Sequence, residues 1–233
     1  MYNFNNDGYS LNQDVSTNNK LLRSAFSYMV LGLLVTFSVP AYILFFNQYF
    51  LGTIFKFYLP IIIGEFVLVI TLSAGINKIS KSTAAFMFFL YSLLNGLLIS
   101  LIGAANNLDV IFYAILTTFV MFAVLAIYGY TTNEDLSKYG GFLKTGLISL
   151  ILMSLINLFF KVPSLYWMVT ILGVVLFSAL ICFDVNRIKR MTYQISSGNE
   201  EAVGKMGIIA ALTLYLDFIN LFLYLLRIFS RKK

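Results

Sequence analysis

The sequence predicts an all-α polytopic membrane protein with seven transmembrane helices, and three observations carry that prediction. Of its 233 residues, 60% are hydrophobic and only 11% charged, with a mean hydropathy of +0.86, far outside the soluble globular range. The apolar residues fall into seven runs, most of them near the ~20 residues that an α-helix needs to cross a hydrocarbon core. Lysines and arginines gather in the short segments between those runs, the way membrane proteins fix their orientation. The net charge of +6 is therefore read as topology and not as a nucleic-acid surface.

The runs lie at about 25–46, 57–75, 83–103, 108–129, 143–160, 164–183 and 206–226. Residues 1–19 precede them as a flexible polar tail. They hold six asparagines and no Lys or Arg, so they lack the basic region of a cleavable signal peptide. Residues 20–233 form a single membrane domain. Pro40 lies inside the first run and is expected to kink it, while Pro60 sits harmlessly in the first turn of the second. The third, fourth and sixth runs occupy charge-free stretches at 82–108, 110–133 and 162–183. The fifth is short, and Lys144 and Lys161 can snorkel at its ends. Tyr, Phe and Trp167 near the ends fit interfacial anchoring. The longest loop is expected at 184–205, where a charged FDVNRIKR segment leads to a turn-like SSGNEE.

With a cytoplasmic N-terminus, Lys20, Arg23, Lys78, Lys81, Lys138, Lys144, Arg187, Lys189, Arg190 and Lys205 fall inside, and only Lys56 and Lys161 fall in outer loops. Arg227, Arg231, Lys232 and Lys233 dissent, because seven full crossings put them outside. A re-entrant last segment would reverse that, but 206–226 is long enough to cross. Cys182 is the single cysteine, which excludes an internal disulfide and reads as apolar packing.

Three of the ten acids stand within or at the end of apolar runs: Glu65, Asp184 and Asp217. An ionised side chain at mid-bilayer costs roughly 2.5–3.5 kcal/mol on insertion scales, so such groups face protein, a partner or water. The chain has no histidine, so proton-linked behaviour near neutral pH would fall to carboxylates. In the last run, Thr213, Asp217, Asn220 and Tyr224 recur at helical spacing on one face. That stripe places the last helix inside the bundle, either as part of a functional site or as interhelical hydrogen-bonding groups. Asp184 is either an interfacial acid paired with Arg187 three residues on or the partner of Asp217 across two helices. In the second case one proton would be shared between the two carboxyls, and the pair would also suit a hard cation such as Ca²⁺. Glu65 is a protonated buried acid, a pore-lining group or a partner for a cation. Asn95 with Tyr91 four residues earlier reads as packing glue.

These segments resemble the Bax inhibitor-1 family, also called the transmembrane Bax-inhibitor-motif family. The resemblance runs from about residue 20 to the end. Its most specific part is Thr213-Leu214-Tyr215-Leu216-Asp217-Phe218-Ile219-Asn220-Leu221-Phe222 onward to Arg227. FSALICFDVNRIK at 177–189, GYTTNEDLSKYGGFL at 129–143, YSLLNGLLIS at 91–100 and the Glu65…Leu72-Ser73 pattern add to it. The resemblance implies a seven-helix bundle with the last helix at its centre. It also implies a pH-sensitive Ca²⁺ leak governed by an aspartate pair, which maps onto Asp184 and Asp217. Family members often carry a latching arginine after the Leu-Ser of the second helix. This chain has Ala74-Gly75 there, which leaves Lys78 or Arg187 for that role.

Two functions compete. One is a passive calcium leak in a bacterial inner membrane, with Glu65, Thr213, Asn220 and Tyr224 as further pore or gating residues and no cofactor beyond the ion itself. The other is a regulator that binds another membrane protein, since some bacterial members resemble modulators of a membrane-bound protease. An enzyme is not expected: HExxH, GxSxG and a nucleotide loop are all missing. A two-aspartate intramembrane protease fits the setting of Asp184 poorly.

Overall fold

The computed structural model describes residues 6–191 and 200–230, with side chains from Lys20 onward. All regular structure among them is helical: α1 (Asn6–Phe46), α2 (Phe50–Lys56), α3 (Tyr58–Gly75), α4 (Lys81–Ala104), α5 (Leu108–Thr131), α6 (Gly140–Phe160), α7 (Pro163–Met191) and α8 (Glu200–Phe229). Seven of these are long and apolar enough to cross a membrane, all but the short α2.

Local chemistry sets the helix boundaries. Ser80 caps α4 by accepting the Thr83 N–H at 3.2 Å. Asp109 lies in the first turn of α5, where the helix dipole favours an acid. At the end of α6 the chain turns through Lys161 in the left-handed region (φ 51°), and Pro163 opens α7 with its ready-set φ. Pro60 falls in the first turn of α3 as the sequence implies, and α1 continues through Pro40 without ending. Helix α7 does not stop at residue 183. It runs through Asp184 and the basic cluster to Met191, so much of the expected 184–205 loop is helical. Of the expected SSGNEE turn at 196–201, residues 196–199 lie outside the described residues, and Glu200 and Glu201 open α8.

Large apolar side chains such as Phe66, Ile70, Val124, Ile127 and Phe159 are exposed along the spans, as lipid-facing surfaces require. Burial singles out α8. Inside its most apolar window 67% of residues are enclosed, against 50% for α7 and no more than 33% for the others. The last helix is therefore the inner one.

The helices form two compact units. The first takes in α1–α4, the last two residues of α7 and α8 up to Tyr215; the second takes in α5, α6, α7 up to Lys189 and α8 from Leu216. In the first unit α1 and α4 touch closely: a Cβ on Gly96 would lie 2.7 Å from the Thr36 carbonyl oxygen, so only glycine permits that approach. The Thr36 hydroxyl donates to the Ser92 carbonyl at 2.9 Å. Its oxygen then takes the proton of the Tyr215 phenol at 2.6 Å, and Phe88 and Tyr91 meet the enclosed Tyr215 ring edge-on. In the second unit, Arg227 near the end of α8 rests over the Tyr166 ring at the start of α7. The last helix thus ends on the same side as the 161–163 turn, as a full crossing demands.

Candidate functional site

Asp184 on α7 and Asp217 on α8 are both buried, at 7% and 5% exposure. Their carboxyl groups lie within hydrogen-bonding reach of each other. Asp217 Oδ2 is sealed from solvent and meets no N–H or hydroxyl donor among the described residues. A proton on one of the two carboxyls would supply the missing donor and relieve the repulsion that two facing carboxylates suffer.

Two sets of contacts aim Asp184 at its partner. On one face of α7, Cys182, Asn186 and Lys189 hold the α5 backbone. The Cys182 thiol donates to the Leu125 carbonyl at 3.4 Å, the Asn186 amide to the Gly129 carbonyl at 3.2 Å, and the Lys189 ammonium to the Tyr130 carbonyl at 2.7 Å. Gly129 makes this seam possible, because a Cβ there would collide with the Cys182 carbonyl. On the opposite face, Phe177 stacks on Tyr224 of α8 at 5.8 Å. Phe177 precedes Asp184 by seven residues (184 − 177), and Tyr224 follows Asp217 by seven (224 − 217). The two helices run antiparallel in that register, and two turns after the aromatic stack they bring the carboxyls together.

The other residues singled out by the sequence have different surroundings. Of the stripe on α8, only Asp217 and Tyr224 reach another helix in these contacts. Thr213 donates back to the Ile209 carbonyl and Asn220 to the Leu216 carbonyl, which satisfies them within their own helix. The exposed Arg187 acts electrostatically on Asp184 but forms no ion pair among the described residues. Lys78 is exposed in a short 3₁₀ turn after α3. Glu65, in the first unit, has a neighbour that helical periodicity did not give: the Asn95 side chain lies within hydrogen-bonding reach of its carboxyl, while Glu65 Oε1 and Asn95 Oδ1 are enclosed and meet no partner among the described residues. Tyr91 and Tyr215 lie near enough to feel the Glu65 carboxyl. Asn95 and Glu65 each had a legible signal, a lone polar group in an apolar span, but their pairing across α3 and α4 had no sequence signature. Among the described residues no third Asp, Glu, Cys or His joins any group to make a metal cluster.

The family model described as "Inhibitor of apoptosis-promoting Bax1" matches residues 18–233. The chain belongs to the Bax inhibitor-1 family. Bacterial relatives align along nearly its full length. A Borreliella burgdorferi protein is 38% identical over 224 residues, covering 95% of this chain and 96% of that one. The inner membrane protein YbhL of Escherichia coli is 39% identical over 221 residues, covering 91% and 92%. A Rickettsia prowazekii protein is 36% identical over 222 residues, covering 92% and 90%. As a Bax inhibitor-1 protein with seven membrane-length helices, the chain is an integral inner membrane protein, like its YbhL relatives.

Proposed function

We propose that this protein is a passive, pH-sensitive calcium leak whose gate is the Asp184–Asp217 pair. The observation that carries the reading is the pair itself: two enclosed carboxyls within hydrogen-bonding reach on two membrane-spanning helices. Structural glue could be made far more cheaply from a Ser, Thr or Asn than from two acids. Calcium is the transported ion and not a resident cofactor. Two carboxylates offer at most about four oxygens against the six to eight that Ca²⁺ takes, so water or backbone oxygens complete its shell and the hold is weak, as conduction requires. Calcium and the shared proton compete for the same oxygens, which makes passage pH-dependent.

Within this reading Arg187 is the counter-charge of the closed gate, because its guanidinium already acts on Asp184. Lys78 is left as the second candidate. Glu65, beside Asn95, is a separate acidic station in the first unit, and Thr213, Asn220 and Tyr224 are lining groups. The reading involves no catalytic step.

Purified protein sealed into liposomes tests the proposal. Calcium should run down its gradient without nucleotide. If folded protein passes no calcium between about pH 5 and pH 8, the carboxyl pair is a packing device, and a role in binding another membrane protein replaces the leak.

A further inference from the structure

A pocket of about 390 Å³ opens where the end of α8 meets the turn between α6 and α7. Its polar lining includes Arg227, Lys161, Asn157 and Ser154, with Leu158 and Val169 among the apolar residues. No acid lines it, and neither Arg227 nor Lys161 forms an ion pair among the described residues. Two hydrogen bonds close the turn. Lys161 donates its N–H to the Asn157 carbonyl at 2.8 Å, and Asn157 Oδ1 accepts the Val162 N–H at 2.9 Å. This use of Oδ1 leaves the Asn157 Nδ2 amide as a donor at the pocket. Arg227 is held in place by the faces of Tyr224 and Tyr166, at 5.0 and 5.7 Å from their centroids, yet it remains exposed. Trp167 packs edge-on against Tyr166, and such aromatics mark headgroup depth.

Two cations without an ion pair among the described residues and an amide donor, above an apolar wall at the membrane interface, make a receptor for a phosphate diester with acyl chains attached. We infer that this pocket binds the headgroup of an anionic phospholipid. The site also accounts for Arg227, which dissents from the charge bias of the loops. With the N-terminus inside, Arg227 and Lys161 share the outer side, where their charge is held by lipid and not by topology. The inference does not depend on the calcium reading.

Native mass spectrometry of the delipidated full-length protein tests it, with phosphatidylglycerol or phosphatidylcholine titrated in. Phosphatidylglycerol should be retained preferentially, and each of Arg227→Gln and Lys161→Asn should weaken retention roughly fivefold. Asparagine tolerates the left-handed backbone at residue 161, so that variant decides the matter even if Arg227→Gln fails to fold. Arg227→Lys should keep part of the binding, and Lys144→Gln, outside the pocket, should keep all of it. Equal retention of both lipids, or retention indifferent to Arg227→Gln and Lys161→Asn, overturns the site. Displacement of the lipid by equimolar inorganic phosphate or glycerol phosphate also overturns the lipid assignment, in favour of a soluble anion.

Discussion

Asp184 and Asp217 meet in the same antiparallel register that stacks Phe177 on Tyr224. Packing therefore sets the position of the pair, and the charge of the pair can be changed without dismantling the helix contact. This separation of geometry from charge makes the site testable by isosteric substitution.

Binding of calcium at the pair should displace the shared proton. Adding calcium to weakly buffered, detergent-solubilised protein should acidify the medium, and the release should vanish in Asp217→Asn. The sign follows from competition: higher pH strengthens calcium binding, and higher calcium drives the proton off at lower pH. Equal acidification by wild type and Asp217→Asn would place the responsible group elsewhere.

Gly129 and Gly141 should respond oppositely to alanine. A Cβ at Gly129 meets the Cys182 backbone, which cannot yield as a side-chain tip can. Gly129→Ala should cost about 1–3 kcal/mol, as overpacking does. It should also disturb the seam that aims Asp184. Gly141 has open space around it, so Gly141→Ala should gain about 0.5–1 kcal/mol from helix propensity. Thermal unfolding of the two variants in one detergent compares them directly.

Glu65 lies beside Asn95 and belongs to the first unit. Glu65→Gln should change the size of the calcium flux while leaving its pH midpoint close to wild type. A midpoint displaced as far as in the aspartate variants would mean that Glu65 titrates with the gate.

Orientation can be read by labelling single cysteines after Cys182→Ala. Ser137→Cys, in the turn between α5 and α6, should react from the cytoplasmic side. Lys161→Cys and Ser230→Cys should both react only from the other side. Labelling of residues 161 and 230 from opposite sides would contradict a full crossing by α8.

Much of the fold is legible in the sequence because each span announces itself as a long apolar run. The ends are less so. Counting apolar residues stops at the first charge, but a helix continues past the hydrocarbon edge as long as its backbone bonds are satisfied. Helix α7 thus carries Arg187, Lys189 and Arg190 where a loop was expected, and Lys189 is used there to hold the Tyr130 carbonyl. The acids of the site are equally legible, since Glu65, Asp184 and Asp217 stand out against apolar neighbours. Their partners are not. Whether Asp184 turns toward Asp217 depends on how α7 is rotated, which is decided by a glycine at 129 and an aromatic stack, none of them chemically conspicuous. Asn95 likewise reads as a neighbour of Tyr91 along its own helix, and only tertiary packing gives it to Glu65.

The most direct test of the account is the pH profile of calcium flux in proteoliposomes for wild type, Asp184→Asn, Asp217→Asn and the double variant. Either single change removes the shared proton and one ligand charge while nearly preserving shape. Each should flatten the profile, and the double variant should be little worse than either alone, because all three destroy one coupled unit. Wild-type pH profiles in both single variants would contradict the account and leave Asp184 and Asp217 as packing groups.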